Sequence, residues 1–173
     1  EKMVKKFLLL LLLLAFCTAG CQKQAVEKTS GAAYQVVDSQ GTVIKFAQKP
    51  QRIMTTHFNL DNIVMGLVDE ERVVALSKSM YDASVSYIST EAIKKPTKLN
   101  YDFSSEQVLA LKPDLIIARE STGENRIQTY RGMGIPVYVV SNANNVEEIK
   151  KQIQEIGQAV GESERAKKLQ QRM

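Results

Sequence analysis

The chain has 173 residues, of which 44% are hydrophobic and 24% charged, with a formal net charge of +4. That is one domain's worth of chain, and its two cysteines and single histidine are too few for a closed zinc site, which takes about four nitrogen or sulfur ligands. No basic stripe with interleaved aromatics runs along it, so nucleic acid is not an expected partner.

Residues 5–22 read KKFLLLLLLLAFCTAGCQ. Lys5 and Lys6 precede an apolar run that begins at Phe7, and Thr18-Ala19-Gly20 closes it. The run is well short of the ~20 residues that a helix needs to span a bilayer. A basic start, a short oily middle and a small-residue exit make residues 1–20 a secretory signal. Cys21 follows at once, an arrangement that resembles the lipobox of bacterial lipoproteins, with Thr18 where Leu is usual. The resemblance implies that Cys21 is lipidated and becomes the new N-terminus. The signal holds three lysines and one glutamate, so its removal leaves 153 residues and lowers the net charge to +2. Cys17 leaves with it, so no intramolecular disulfide is expected. Residues 22–33, QKQAVEKTSGAA, are polar and without period. Residues 21–33 therefore read as a flexible tether.

YQVVD (34–38) and TVIKF (42–46) flank Ser39-Gln40-Gly41 and predict a hairpin. RIMTT (52–56) is a short apolar strand. Asn59 is placed to cap a helix whose Leu60, Ile63, Val64 and Leu67 share one face. RVVAL (72–76) is the next strand, followed by a long polar stretch from Ser77 to Asp102 with a short helix near 85–94. Ser104 and Gln107 have capping-box spacing ahead of a helix through Leu111, which Pro113 stops. DLIIA (114–118) is a strand, and 125–133 a helix with Ile127, Tyr130 and Met133 inward. Gly134 ends that helix, and PVYVV (136–140) is the fourth strand. The helix at 146–160 carries Ile149, Ile153, Ile156 and Val160 in one stripe, Gly161 interrupts, and another helix runs from Ser163 to the end. Short, continuously apolar strands alternating with helices are buried on both faces. The expected architecture is a three-layer α/β sandwich of about four mostly parallel strands behind a leading β-hairpin.

Catalytic signatures do not emerge. Gly132-Met133-Gly134 closes a helix and precedes a strand, the reverse of a phosphate-binding glycine turn. Neither GxxxxGK[ST] nor GxSxG occurs. A Ser-His-Asp triad does not follow from one histidine. Nothing here calls for catalysis, a resident metal or a cofactor. In open α/β sheets, ligands meet the loops at the carboxyl ends of the strands. Those loops are Thr55-Thr56-His57-Phe58, Ser77-Lys78-Ser79-Met80-Tyr81, Arg119-Glu120-Ser121-Thr122 and Ser141-Asn142-Ala143-Asn144. Their aromatic faces, hydroxyls, amides and two cations suit a bulky, polar, anionic small molecule met by Lys78 and Arg119. The plain alternative leaves them as solvated loops.

KPQRIMTTHFNLDNIVMGL, SSEQVLALKPDLIIA, GIPVYVV and NNVEEIKKQIQEIGQAVGESERAKKL together resemble periplasmic binding proteins of the iron-siderophore, haem and cobalamin uptake group. The resemblance runs in order from about residue 34 to 173, and EQVLALKPDLIIA is its most specific part. It implies a substrate-binding lipoprotein, not an enzyme, that delivers cargo to an ABC permease from the outer face of the cell membrane or the periplasm. It also implies two α/β lobes joined by a long helix. Residues 34–161 would then be the N-terminal lobe and 162–173 the start of the interlobe helix. The candidate ligand-binding set, read from the strand-end loops and the chemistry of such cargoes and not carried over from the family, is Thr56, His57, Phe58, Lys78, Tyr81, Tyr101, Arg119 and Glu120. His57, Tyr81 or Tyr101 would meet iron in a haem reader, and Arg119 and Lys78 an anionic ferric siderophore. Glu106, two places into its helix, corresponds to the carboxylate that meets a permease arginine. An acid in a first helical turn also favours the dipole, and Glu70 and Glu71 are rival acids. Two other readings are an exported α/β hydrolase and a surface-anchored interaction domain.

Overall fold

A computed structural model describes residues 33–86, 97–100 and 102–173. The signal, Cys21, nearly all of the tether, Tyr101 and most of the helix expected at 85–94 lie outside the described residues.

The hairpin forms as expected. Strands β1 (Tyr34–Val37) and β2 (Val43–Phe46) pair antiparallel, and Gly41 supplies the positive φ of the turn (79°). Tyr34 stacks on Phe46 with centroids 5.1 Å apart, and its hydroxyl donates to the Ala159 carbonyl. The buried Asp38 carboxylate ties the turn down. It accepts from the backbone N–H groups of Gln40 and Thr42 and pairs with Arg131 at 2.8 Å.

Next come β3 (Ile53–Thr55), helix α1 (Phe58–Leu67), β4 (Ala75–Ser77), β5 (Thr97–Leu99), α2 (Ser105–Leu111) and β6 (Leu115–Arg119). Helix α3 (Glu124–Gly132), β7 (Val137–Val140), α4 (Val146–Ala159) and α5 (Ser163–Gln170) complete the order. Three short 3-10 turns lie at Glu70–Arg72, Lys78–Tyr81 and Glu120–Thr122. The strand expected at 72–76 begins later, because Glu70–Arg72 takes the 3-10 turn.

The parallel sheet is β3-β6-β7, with Ile53 opposite Leu115 and Ile116 opposite Val137. β4 pairs parallel with β5, and a single bridge from Val73 to Ile53 attaches this pair to the far edge of β3. The order across the molecule is therefore β5-β4-β3-β6-β7. The expectation of about four strands falls one short. β5 reads TKL, with Thr97 and Lys98 exposed and only Leu99 buried, so it carries no apolar run to announce it.

Alternation along β6 divides the interior in two. Leu115 and Ile117 face α1 and α4 with Leu60, Ile63, Val64, Leu67, Ile153 and Ile156. Ile116 and Ala118 face α2 and α3 with Val108, Ile127 and Tyr130. Strands buried on both faces, with helices covering each, give the three-layer sandwich. The fully buried aliphatics of this core contribute roughly 1.5–3 kcal/mol each.

The helix ends follow local chemistry. Ser104 and Gln107 form the expected capping box, and Lys112 leaves α2 in the left-handed region (φ 46°) ahead of Pro113. Asn59 does not cap α1. His57 takes that place, with Nδ1 accepting from the Asn59 N–H at 3.2 Å. Helix α5 ends at Gln170 and folds back on α4, where Gly157 leaves room for Ala166. Arg72 is buried beside this turn and donates to the Pro50 and Val160 carbonyls and to Glu162 at 2.6 Å.

Candidate functional site

The carboxyl ends of the five strands converge on one edge. There, the end of β3 supplies Thr56 and His57, the end of β6 supplies Arg119, and the segment after β7 supplies Ser141 and Asn142. Because β3, β6 and β7 are adjacent, residues far apart in sequence meet.

Arg119 is the centre of the group. Its Nη1 lies 3.1 Å from Nε2 and 3.4 Å from Nδ1 of His57, and its Nε donates to Asn142 Oδ1 at 3.2 Å. Among the described residues it enters no ion pair. A neutral imidazole has one accepting and one donating nitrogen. The ring accepts through one nitrogen only, and Nδ1, which caps Asn59, is also within reach of Arg119. Burial, with the Arg119 charge second, holds His57 below its ordinary pKa. A neutral ring leaves the guanidinium without a counter-charge in direct contact among the described residues, open to an anion.

Around this pair stand hydroxyls and an acid. Thr56 Oγ1 and Thr122 Oγ1 are 2.8 Å apart, and Ser141 Oγ donates to Glu120 Oε1 at 3.3 Å. Gln152, on α4, anchors the segment from behind by donating to the Ser141 carbonyl. The structure thus gathers Thr56, His57, Arg119 and Glu120. Phe58 is half-buried and packs on the core as the first residue of α1. Lys78 is exposed beyond β4. Tyr81 lies beneath Lys98, whose ammonium is 4.2 Å from the ring centroid. Burial, then the charges of Asp61 and Glu70, raise the Tyr81 phenol. Glu106 is fully exposed on α2, and a hydrogen bond with Ser104 leads the effects that lower its pKa. No group of three metal-ligating side chains occurs among the described residues. Nor is any helix there long and apolar enough to cross a membrane.

Sequence reasoning missed Asp61, and it placed Thr122 and Asn142 in the strand-end loops without singling them out. Asp61 is 1% exposed; it accepts from the Thr55 hydroxyl at 2.6 Å and the Ser77 N–H at 3.0 Å. It therefore binds the ends of β3 and β4 to the first turn of α1. Burial raises it to about 6, although both hydrogen bonds favour the charged form. The available signal was its place next to Leu60 and one turn before Val64, at the margin of the apolar stripe. Thr122 and Asn142 are ordinary polar loop residues whose roles arise only from strand adjacency.

Comparison with known proteins agrees with the fold. The chain is 28% identical to an uncharacterized ABC transporter substrate-binding lipoprotein of Bacillus subtilis (strain 168), with 92% of this chain and 52% of that protein covered. It therefore spans about half the length of that relative. A possible iron-binding (periplasmic solute-binding) protein from Staphylococcus epidermidis superposes with a TM-score of 0.62 at 23% identity, covering 72% of this chain and 48% of that one. A periplasmic heme-binding protein from Pseudomonas aeruginosa gives 0.59 at 22% identity, covering 71% and 43%. At these identities the two structures share the fold. The profile described as periplasmic binding protein matches residues 53–173, and on that match the chain belongs to the periplasmic binding protein family.

Proposed function

We propose that this chain is a ligand-binding lobe of an ABC importer's substrate-binding lipoprotein, with an anionic ferric siderophore as its cargo. The observation that carries the reading is Arg119: a guanidinium held by an amide and a neutral imidazole, with no carboxylate partner among the described residues, on the rim where α/β sheets receive ligands. Charge-assisted hydrogen bonds to such a cation are about twice as strong as neutral ones. Haem and cobalamin are the competing cargoes.

The lobe works by contact, not by reaction. Thr56, His57, Arg119 and Glu120 form a polar rim, and Lys78 adds a second exposed cation. Glu106 docks on a permease arginine, an interfacial ion pair that sets orientation. Cys21 carries the lipid that holds the domain at the outer face of the membrane. Stable anchoring takes more than one acyl chain or a second signal. The cited relatives are named as binding proteins, which supports a transport role over a hydrolase.

The test is a titration of tyrosine fluorescence with a ferric tris-catecholate, haem and cobalamin, on the protein at its full encoded length. The ferric chelate is expected to bind tightest, and Arg119→Gln to weaken it about tenfold or more, the cost of one charge-assisted contact. Tighter binding of cobalamin, or an indifferent Arg119→Gln, defeats the siderophore reading.

A further inference from the structure

Beside Arg119 a cleft of about 310 Å³ enters the molecule between α1 and α4. Its walls include Asn62 and Ile63 from α1, Ile149 and Gln152 from α4, and Ala143 from the segment that joins β7 to α4. Arg119 stands in its lining as well as on the rim. None of the other rim residues (Thr56, His57 or Glu120) reaches it.

The size decides what it holds. Sites for whole small molecules run from about 300 to 1,000 Å³, so this cleft, at the foot of that range, takes a small ligand or one arm of a bulkier chelate. The lining decides the chemistry. Asn62 Nδ2 donates to the Phe58 carbonyl and Gln152 Nε2 to the Ser141 carbonyl. Each amide has thus committed a donor and keeps an oxygen that accepts. The Ile63 and Ile149 side chains favour a short aliphatic stem. Among the described residues only one cation, Arg119, lines the cleft, which matches a carboxylate's single charge better than a phosphate dianion. Among the described residues the Arg119 Nη2 makes no hydrogen bond, so an N–H face remains for that carboxylate.

We propose that the cleft between α1 and α4 is a subsite for a carboxylate-bearing arm that also carries a hydroxyl or amide N–H, with Arg119 meeting the carboxylate and Asn62 and Gln152 accepting from the donor. This rests on the importer reading and adds the chemical class of the cargo. A hydroxycarboxylate chelate and the propionate of haem are two sources of the carboxylate, and only the first brings a hydroxyl.

The experiment uses Ala143→Phe, which fills the cleft from a half-exposed loop, and Asn62→Leu, which removes one acceptor. Each full-length variant is titrated with ferric citrate, haem, haem dimethyl ester and a carboxylate-free ferric tris-catecholate, and its melting temperature is compared with the parent's. The expected result is a loss of about tenfold or more for ferric citrate, on the scale of one charged hydrogen bond, with catecholate affinity and melting temperature unchanged. Equal losses for citrate and catecholate, or no loss for either, overturn the subsite. A variant that binds haem less well while its dimethyl ester is unaffected places the propionate there and overturns the hydroxyl requirement. If the unaltered protein binds the catecholate but no carboxylate chelate, the subsite falls and the importer reading stands. If it binds none of the four, the siderophore reading falls and the subsite with it.

Discussion

The Arg119 guanidinium lies 3.1 Å from Nε2 and 3.4 Å from Nδ1 of His57, so a fixed cation faces a ring that has already been asked to cap a helix. Both demands favour the neutral imidazole. A depressed folded pKa means that the unfolded chain takes up the proton first as pH falls. Stability contributed by this site is therefore complete above about 6.5 and declines below it. Arg119→Gln removes the smaller of the two causes. Imidazole ¹⁵N NMR is expected to show His57 titrating higher in the variant, yet still below a free histidine. An unchanged titration would mean that burial alone sets it.

Asp61 has the opposite sign. Its carboxyl is raised from 3.8 to about 6, so the folded protein holds a proton that the unfolded chain releases. Stability is expected to fall as pH rises from about 4 through 6, by an amount on the order of 3 kcal/mol at about 1.4 kcal/mol per pH unit. Asp61→Asn keeps one acceptor for the Ser77 N–H and offers a donor to Thr55, so it should flatten the pH dependence of chemical denaturation. Asp61→Ala leaves the Ser77 N–H without its acceptor and is expected to cost about 1–3 kcal/mol. A parent protein equally stable at pH 4 and pH 7 would contradict this assignment.

Arg72 is 8% exposed and carries three partners from two distant segments, Pro50, Val160 and Glu162. Truncating one member of a buried pair costs about 3–5 kcal/mol, because the other is left uncompensated. Arg72→Ala should lower the urea midpoint markedly. Glu162→Gln should cost less, since its oxygen still accepts from Arg72. Similar midpoints for the two variants would show that charge at Glu162, not satisfaction of Arg72, matters most.

Glu106 is fully exposed, and its hydrogen bond is with its own helix cap. Glu106→Ala should therefore leave melting and ligand affinity within experimental error. Uptake of radiolabelled ferric chelate by cells carrying the variant is expected to drop. Undiminished uptake removes the docking role and leaves the acid as a first-turn residue.

Cys21→Ser should move the protein from membrane to soluble fractions on cell disruption. Persistence in membranes would replace the acyl anchor with some other attachment.

Local chemistry determined much of this protein. The capping box at Ser104 and Gln107, the stripes through Leu60–Leu67 and Ile149–Ile156, and the glycine turns at 41, 134 and 161 each need only neighbours within a few residues. Alternating apolar strands and helices then imply the three-layer plan, since helices on both sides of an open parallel sheet bury both faces of its strands. Tertiary structure decided the rest. β5 exists because β4 offers an edge, not because TKL prefers to be extended. His57 displaces Asn59 as the cap because the chain leaves β3 in an extended conformation at that residue (φ −155°, ψ 142°). Arg119 acquires His57 and Asn142 because β3, β6 and β7 lie side by side, bringing together groups 62 and 23 residues away along the chain. Propensity and periodicity act over one or two turns, whereas a binding rim is made of strand ends that only the packed sheet brings into register.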